Sequence, residues 1–386
     1  MLKVVSKEYS LPARWNFRPP AGIRLVDVRT LEELDQHGAA WNSLLHQAAR
    51  LSPILSYAWM RAFFKNQVRG PEQWLCLFAY ENDHLIGILP LVSSYAIKVF
   101  GFSLHLFKLP YHVAHTGGTD CLTLPGRENV VGLFLDYLNR IPRTLPVLSL
   151  KHVPEHYPSV TYFARKKHKM CAAKVPGGFE TFIPLPKSSD EYFTGLSQNA
   201  RKNLNRRSRE LEKIPDVRFL FRESLRSVHE NTIRFLDIES CGWKGKEKTA
   251  VRNFTGSAEL FENAAEELAK QNLMAFSFLE TGEKTMAAHY AMVNNRTLYI
   301  LKMAYDEAYE ECAPGNLLML KVIGAACDSG TFDEVNFVAA PPSAARWNVQ
   351  KRALVHLIVL PKIPLLSHLL IWAIQSQKFH KFDTSR

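Results

Sequence analysis

The segment TLYILKMAYDEAYEECAPGNLLMLKVIGAAC, Thr297 to Cys327, passes through three residue patterns in succession. Thr297–Ala304 alternates and has the composition of a β-strand. Tyr305–Cys312 is a polar connector. Ala313, Pro314, Gly315 and Asn316 then open a helix, with Leu317, Leu320, Lys321 and Ile323 at helical spacing. Asp333–Val338 (DEVNFV) returns as a strand. A strand–helix–strand unit of this kind places a helix N-terminus in the loop, with unpaired N–H groups and a partial positive charge, the physical requirement for holding a pyrophosphate. Gly315 lets the backbone approach a phosphate closely. Pro-Gly is also an everyday helix start, so the segment alone leaves both readings open.

Working outward, Leu273–Leu279, a turn at Thr281–Lys284 and Thr285–Val293 form a predicted β-hairpin just upstream. An earlier copy of that pattern occupies Trp74–Tyr80, Glu81–His84 and Leu85–Leu91. Helical patterns precede both hairpins, over Thr30–Ala49 and Ser224–Ile238. A Pro-Gly and an apolar helix follow both, at Pro125-Gly126 before Val130–Leu138 and at Pro314-Gly315 before Asn316–Cys327. Element order repeats although residue identity does not, so a weak internal duplication is expected. The chain's 386 residues suit two domains. The expected boundary lies at the turn-rich Val175-Pro176-Gly177-Gly178, dividing an N-terminal domain, 20–175, from a C-terminal one, 176–360, followed by an apolar helix and tail, 361–386.

Composition narrows the class. Hydrophobic residues at 47% and charged residues at 22% describe an ordinary globular chain. No secretory signal is readable, and six scattered cysteines without a CxxC pair suggest neither zinc nor a disulfide framework, so a cytoplasmic location is expected. Leu354–Ile374 is interrupted by Pro361, Lys362, Pro364 and His368, which leaves no run of ~20 apolar residues to span a bilayer. It reads as a strand, a turn and an apolar helix that docks on the core or contacts a membrane surface peripherally. A net charge of +11 favours an anionic partner.

Two further segments carry chemistry. From Ser188 and Glu191, a capping-box pair, a helix is expected to run to Lys213. Leu196, Ala200, Leu204 and Leu211 share one side, and Lys202, Arg206, Arg209 and Lys213 the other. Five of the nine residues Arg201–Arg209 are basic, more than solubility needs, although a solvated face is the plainer explanation. Glu239–Thr249 (ESCGWKGKEKT) reads as a mobile, glycine-hinged loop whose Trp243 suits gripping a substrate. His289, alone in a strand, is more often structural than catalytic. His112 and His115, near Gly117-Gly118, match neither a metal set nor a nucleophile–base pair. G-x-S-x-G, H-E-x-x-H and Walker motifs are absent, which argues against those hydrolase and nucleotidase classes.

RKNLNRRSREL, ESCGWKGK and AAHYAMV…TLYILKMAYDEAYEECAPGNLLMLKVI, in this order, resemble the CelD/BcsL-like (cellulose-biosynthesis-type) acetyltransferases, a branch of the GNAT superfamily. The resemblance covers about Phe182–Val338. It is looser in the first half, through Ser52–Phe64 and LIGILPL. It implies a mixed α/β (α+β) fold of two tandem GNAT-like domains, laid out as in the FemABX transferases, the first degenerate. It implies acetyl-CoA or another acyl-CoA as donor, no metal, and an N- or O-acyl transfer in polysaccharide or cell-envelope biosynthesis to a small-molecule, sugar or lipid-linked acceptor. No specific nucleic acid is expected, although an aminoacyl-tRNA-dependent transferase and a non-catalytic scaffold are the rival readings.

On the donor side the resemblance assigns Met303, Ala304, Pro314, Gly315, Asn316 and Leu317. By the same resemblance Arg201, Lys202, Arg206, Trp243 and Lys244 border the acceptor or cofactor cleft as substrate-binding residues. For direct attack, Glu239, His289 and Asp306 are base candidates and Tyr305 an acid candidate, with backbone N–H groups near Met303–Tyr305 serving the oxyanion. Two departures stand out. Lys248 occupies a position where the family usually has glycine, and Ala339–Ala345 replaces a Gly-and-acid run before Arg346-Trp347.

Overall fold

The structure, a computed structural model, describes residues 11, 14–48, 52–70, 72–99, 102–111, 119–165, 168–223, 226–339 and 341–362. The first half contributes β1 (Ile23–Val28), α1 (Leu31–Asp35), α2 (Gly38–Gln47), α3 (Tyr57–Asn66), β2 (Gln73–Glu81), β3 (His84–Val99), β4 (Phe102–Lys108), β5 (Leu122–Thr123), α4 (Val130–Asn139), β6 (Thr144–Pro154) and α5 (Pro158–Arg165). The second begins with β7 (Met170–Pro184), α6 (Ser189–Gly195), α7 (Gln198–Glu212), β8 (Val217–Phe221), α8 (Val228–Cys241), α9 (Trp243–Lys246) and α10 (Ser257–Ala269). It continues with β9 (Met274–Thr281), β10 (Lys284–Asn294), β11 (Thr297–Tyr305), α11 (Pro314–Asp328), β12 (Glu334–Asn336) and β13 (Gln350–Pro361).

Both expected hairpins form, β2–β3 and β9–β10. Their turns use the residues such turns require: Asn82 and Asp83 take positive φ in the first, Gly282 in the second. Among the described residues all strands join one 13-stranded sheet, in the order β1-β2-β3-β4-β6-β13-β7-β12-β11-β10-β9-β8, with β5 against β3. The duplication is visible in it. β1-β2-β3-β4-β6 and β8-β9-β10-β11-β12 run inward from opposite edges, and in each the last pair is parallel and connected through a helix.

The predicted break at Val175–Gly178 lies inside a strand, not in a loop. Between Pro176 and Phe179, opposite Val355 and Ala353, the β7–β13 register shifts, so Gly177 and Gly178 form a bulge. A Cβ on Gly177 would sit 2.9 Å from the Val355 backbone, and Gly178 has φ +91°. Glycine here serves strand contact rather than chain reversal. β13 then lies between β6 of the first half and β7 of the second. Arg352 fastens this seam by donating to Glu180 at 3.2 Å and Glu334 at 2.8 Å.

The predicted helix over Thr30–Ala49 is two helices, broken at Gln36-His37, and the one from Ser188 to Lys213 breaks at Leu196-Ser197, where Ser197 caps the second piece. Ser188 does accept the Glu191 amide. The helix expected from Ser224 runs Val228–Cys241, capped by a Ser227–Glu230 box, with Ser224 and Leu225 outside the described residues. So are His112, His115 and the tail from residue 363. Among the described residues no helix is long and apolar enough to cross a membrane, and no cluster of His, Cys, Asp or Glu could hold a metal.

Leu298 and Ile300 face a core shared with α6, α7 and α11, and Tyr299 and Leu301 face one shared with α8 and α10. The second core continues into the first half, where α3 packs on α10 and Trp59 meets Phe261 edge-on at 5.4 Å.

Candidate functional site

β11 pairs with β10 along its whole length but with β12 only over Thr297–Tyr299. The parting has a local cause. Asn336 accepts the Val338 amide at 2.7 Å, Val338 turns through φ +61°, and Phe337 and Ala339 hydrogen-bond to Thr181 of β7. From Ile300 to Tyr305 one edge of β11 is therefore open. In the first half β4 stays paired with β6 from Ser103 to Lys108.

A cavity of about 730 Å3 fills the gap, ample for a small-molecule ligand. Its floor is Ile300–Tyr305, and α8 and α9 give one wall through Glu239, Trp243 and Lys244. The start of α11 gives the other, through Gly315 and Asn316, and Phe337–Ala339, Arg346 and Trp347 close it.

The β10–β11 register slips here. Lys302 stands opposite Tyr290 and Ile300 opposite Ala291, leaving Leu301 as a bulge. A bulge sends two consecutive side chains to the same face. Leu301 and then Lys302 thus point toward α8, whereas strict alternation would put Lys302 on the α11 side. The Lys302 ammonium is pulled down to about 8, first by burial and then by Lys244, with Glu239 opposing.

Glu239, predicted in a mobile loop, is 1% exposed in the last turn of α8. Its Oε2 accepts the Val251 amide at 2.7 Å and its Oε1 lies 3.4 Å from Lys244 Nζ. Lys244 also donates to the Met303 carbonyl at 2.7 Å, a clamp from α9 onto the open strand. The expected loop is a second, short helix. Gly245 permits it, because a Cβ there would lie 1.8 Å from the Ser240 carbonyl oxygen. Lys248, at the position where glycine was expected from the resemblance, adopts φ +57°, a conformation glycine tolerates more readily.

At the opposite wall, α11 begins from Ala313 in the left-handed region, with no side-chain cap and no acidic residue in its first turn. Asn316 and Leu317 amides both donate to the Ala313 carbonyl. Pro314 has no N–H. Among the described residues the Gly315 amide has no acceptor. Gly315 and Asn316 line the cleft, whereas Pro314 and Leu317 turn into the core, which removes those two from direct ligand contact. The Tyr305 ring packs beside Gly315, 3.3 Å from where a Cβ would be.

Three expectations need correction. His289 does not line the cleft. It is 1% exposed, both ring nitrogens lack partners among the described residues, and burial lowers its pKa to about 3. It is a neutral ring in the sheet, out of a substrate's reach. Asp306 is spent on capping the 3-10 turn Glu307–Cys312, accepting the Ala308 amide at 2.9 Å. Arg201, Lys202 and Arg206 stand on α7 outside the cleft; their neighbour Arg207 ties α7 to the Glu310 and Glu311 carbonyls just before α11. Lys302 was missed, although a charged residue inside an apolar strand was the available signal.

His289 predicts acid sensitivity. Its folded form resists a proton that the unfolded form accepts near pH 6.5, so its contribution is complete above that pH and is lost as pH falls toward 3. Between pH 7 and pH 4 this amounts to about 3 kcal/mol. Urea titrations at both pH values should show that His289→Met loses less stability over that interval than the parent chain.

Residues 198–347, which hold the whole cleft, match the sequence profile of the acetyltransferase (GNAT) domain. No curated protein matches the chain significantly. Among solved structures it is similar to FemX, at TM-score 0.57 and 10% identity, covering 90% of this chain and 100% of that one. A protein of unknown function from Bacteroides thetaiotaomicron aligns at TM-score 0.52 and 10% identity, covering 88% and 99%. The C-terminal domain of a protein described as a lysylphosphatidylglycerol synthetase from Agrobacterium fabrum aligns at 0.51 and 8%, covering 89% and 96%. These likenesses concern the fold. It is a mixed α/β fold of GNAT acyltransferase type in tandem, each half a mixed sheet flanked by helices.

Proposed function

We propose that this protein is an acyltransferase that takes its acyl group from acetyl-CoA or another acyl-CoA and passes it to an amine or hydroxyl by direct attack. The observation that carries this reading is the parting of β11 from β12 beside the uncapped start of α11. A pantetheine arm is a chain of amides, and the open edge of β11 offers it backbone partners as a missing strand would. At the arm's far end the Gly315 amide and the positive end of the helix suit a diphosphate. Met303 and Ala304 would border the arm, and backbone N–H groups of the open strand would receive the oxyanion.

Trp243, 42% exposed, and Lys244 stand on the wall opposite α11, where an acceptor would enter. Tyr305, 38% exposed and packed against Gly315, would stand at the diphosphate end of the arm, so the leaving thiolate would take its proton from solvent. Glu239 holds the wall together through Lys244 and Val251 and thereby positions Lys244. The sequence resemblance suggests an acceptor from polysaccharide or envelope biosynthesis. We place the donor site in the second half, residues 176–360, with residues 20–175 a degenerate partner.

Calorimetric titration with acetyl-CoA and with a long-chain acyl-CoA tests this. Binding at one site per chain is the expected result; a folded protein that binds neither would be a scaffold. A second reading, aminoacyl-tRNA as donor, is favoured by the exposed row Lys202, Arg206 and Arg209 on α7 with Lys213 at its C-cap. It requires transfer that depends on charged tRNA and falls steeply with salt.

A further inference from the structure

The acyl-transfer reading leaves open which group takes the acceptor's proton, and the cleft narrows the choice. Among the described residues its titratable lining groups are Glu239, Lys244, Lys302, Tyr305, Glu310 and Arg346. Glu239 is engaged by the Val251 amide and by Lys244. Lys244 is held by the Met303 carbonyl and Glu239. Glu310 is exposed at the rim, and Arg346 is an exposed guanidinium. Tyr305 lies against Gly315 on the far wall.

Lys302 differs from all of these. It stands in the middle of the open edge, turned by the Leu301 bulge toward the acceptor wall. It has no hydrogen-bond or ion-pair partner among the described residues, so its nitrogen is not committed elsewhere. We propose that the neutral Lys302 amine is the proton acceptor that activates the attacking group of the acyl acceptor. This rests on the acyl-transfer reading and adds to it the identity of the base.

The groups facing Lys302 agree with that role. From α9, Lys244 repels a proton on it; from α8, Glu239 attracts one but is largely offset by Lys244; from β10, Tyr290 is turned away, donating to the Phe261 carbonyl at 3.0 Å, and His289 is uncharged. Near pH 8 about half of Lys302 would carry a free lone pair. That pair accepts the proton of the acceptor's N–H or O–H as the acceptor atom bonds to the thioester carbon. The C–S bond then breaks with its electrons on sulfur, and the thiolate takes a proton from solvent. Lys302 returns its proton to solvent, completing the balance.

The test uses the full chain with acetyl-CoA, water serving as acceptor, and follows thiol release from pH 6 to 10. The parent enzyme should show a limb with apparent pKa near 8. Lys302→Arg keeps the charge but removes the base; it should lower kcat about 100-fold or more, abolish that limb, and leave the calorimetric affinity for acetyl-CoA within about threefold. Lys302→Ala should be partly rescued by added ethylamine. Competitive trace labelling with acetic anhydride, read by mass spectrometry, should place the Lys302 midpoint near 8.

A labelling midpoint in the ordinary lysine range, about 10.4, overturns the proposal whether or not thiol release is measurable. So does a Lys302→Arg variant that keeps kcat and only raises KM, which would make Lys302 an anchor. Stable acetylation of Lys302 by acetyl-CoA would also overturn it. Absence of acetyl-CoA binding in the parent chain defeats the acyl-transfer reading instead, a separate result.

Discussion

Replacing Gly315 by aspartate is expected to weaken acetyl-CoA binding at least about 100-fold, a loss of about 2.7 kcal/mol. The new carboxylate would stand at the uncapped start of α11, beside an amide that has no acceptor among the described residues. Two like charges about 4 Å apart repel by about 4 kcal/mol at the effective dielectric of a protein surface. Sterics contribute separately, because any Cβ at this position meets the Tyr305 ring at 3.3 Å. Gly315→Ala isolates that part and should cost less than about tenfold, since the ring can shift by a few tenths of an ångström. Calorimetry on both variants, with thermal melts to show an intact fold, separates charge from crowding. Equal losses in the two would mean that the diphosphate does not sit at this helix.

The second large effect concerns stability. Trp59→Ala should cost about 3–5 kcal/mol. Trp59 is fully buried on α3 of the first half and meets Phe261 on α10 of the second. Its removal leaves a void between helices that belong to different repeats, and strands on either side of β13 prevent those repeats from closing it. Unfolding in urea should remain a single transition moved to lower denaturant, because the sheet is continuous through β6, β13 and β7. A transition that splits in two would show that the halves unfold independently.

Much of this arrangement was legible in the residues. Alternation and turn chemistry located both hairpins, since Asn82, Asp83 and Gly282 sit where the turns demand positive φ. Pro314-Gly315 marked the start of α11, which begins at Pro314, two residues before the expected Asn316. Elsewhere local signals pointed the wrong way. Gly177 and Gly178 have the composition of a turn, but β13, almost 180 residues later in sequence, comes to pair with them and makes them a bulge. Glu239, Trp243 and Lys244 read as a polar loop because no local pattern reveals that Val251 returns to bind the carboxylate. His289 and Asp306 have the right chemistry for a base, yet burial removes one and a cap occupies the other.

Local residues determined the two hairpins, the repeat of their pattern, and the helix start at Pro314-Gly315. Those depend on residues near one another in the chain, through dihedral preference and periodicity. The tertiary structure alone decided that β11 and β12 part after Tyr299, that a bulge at Leu301 swings Lys302 across the sheet, and that Lys244 reaches Met303. A one-residue slip in register inverts which face a side chain serves, and register is set by strands distant in sequence.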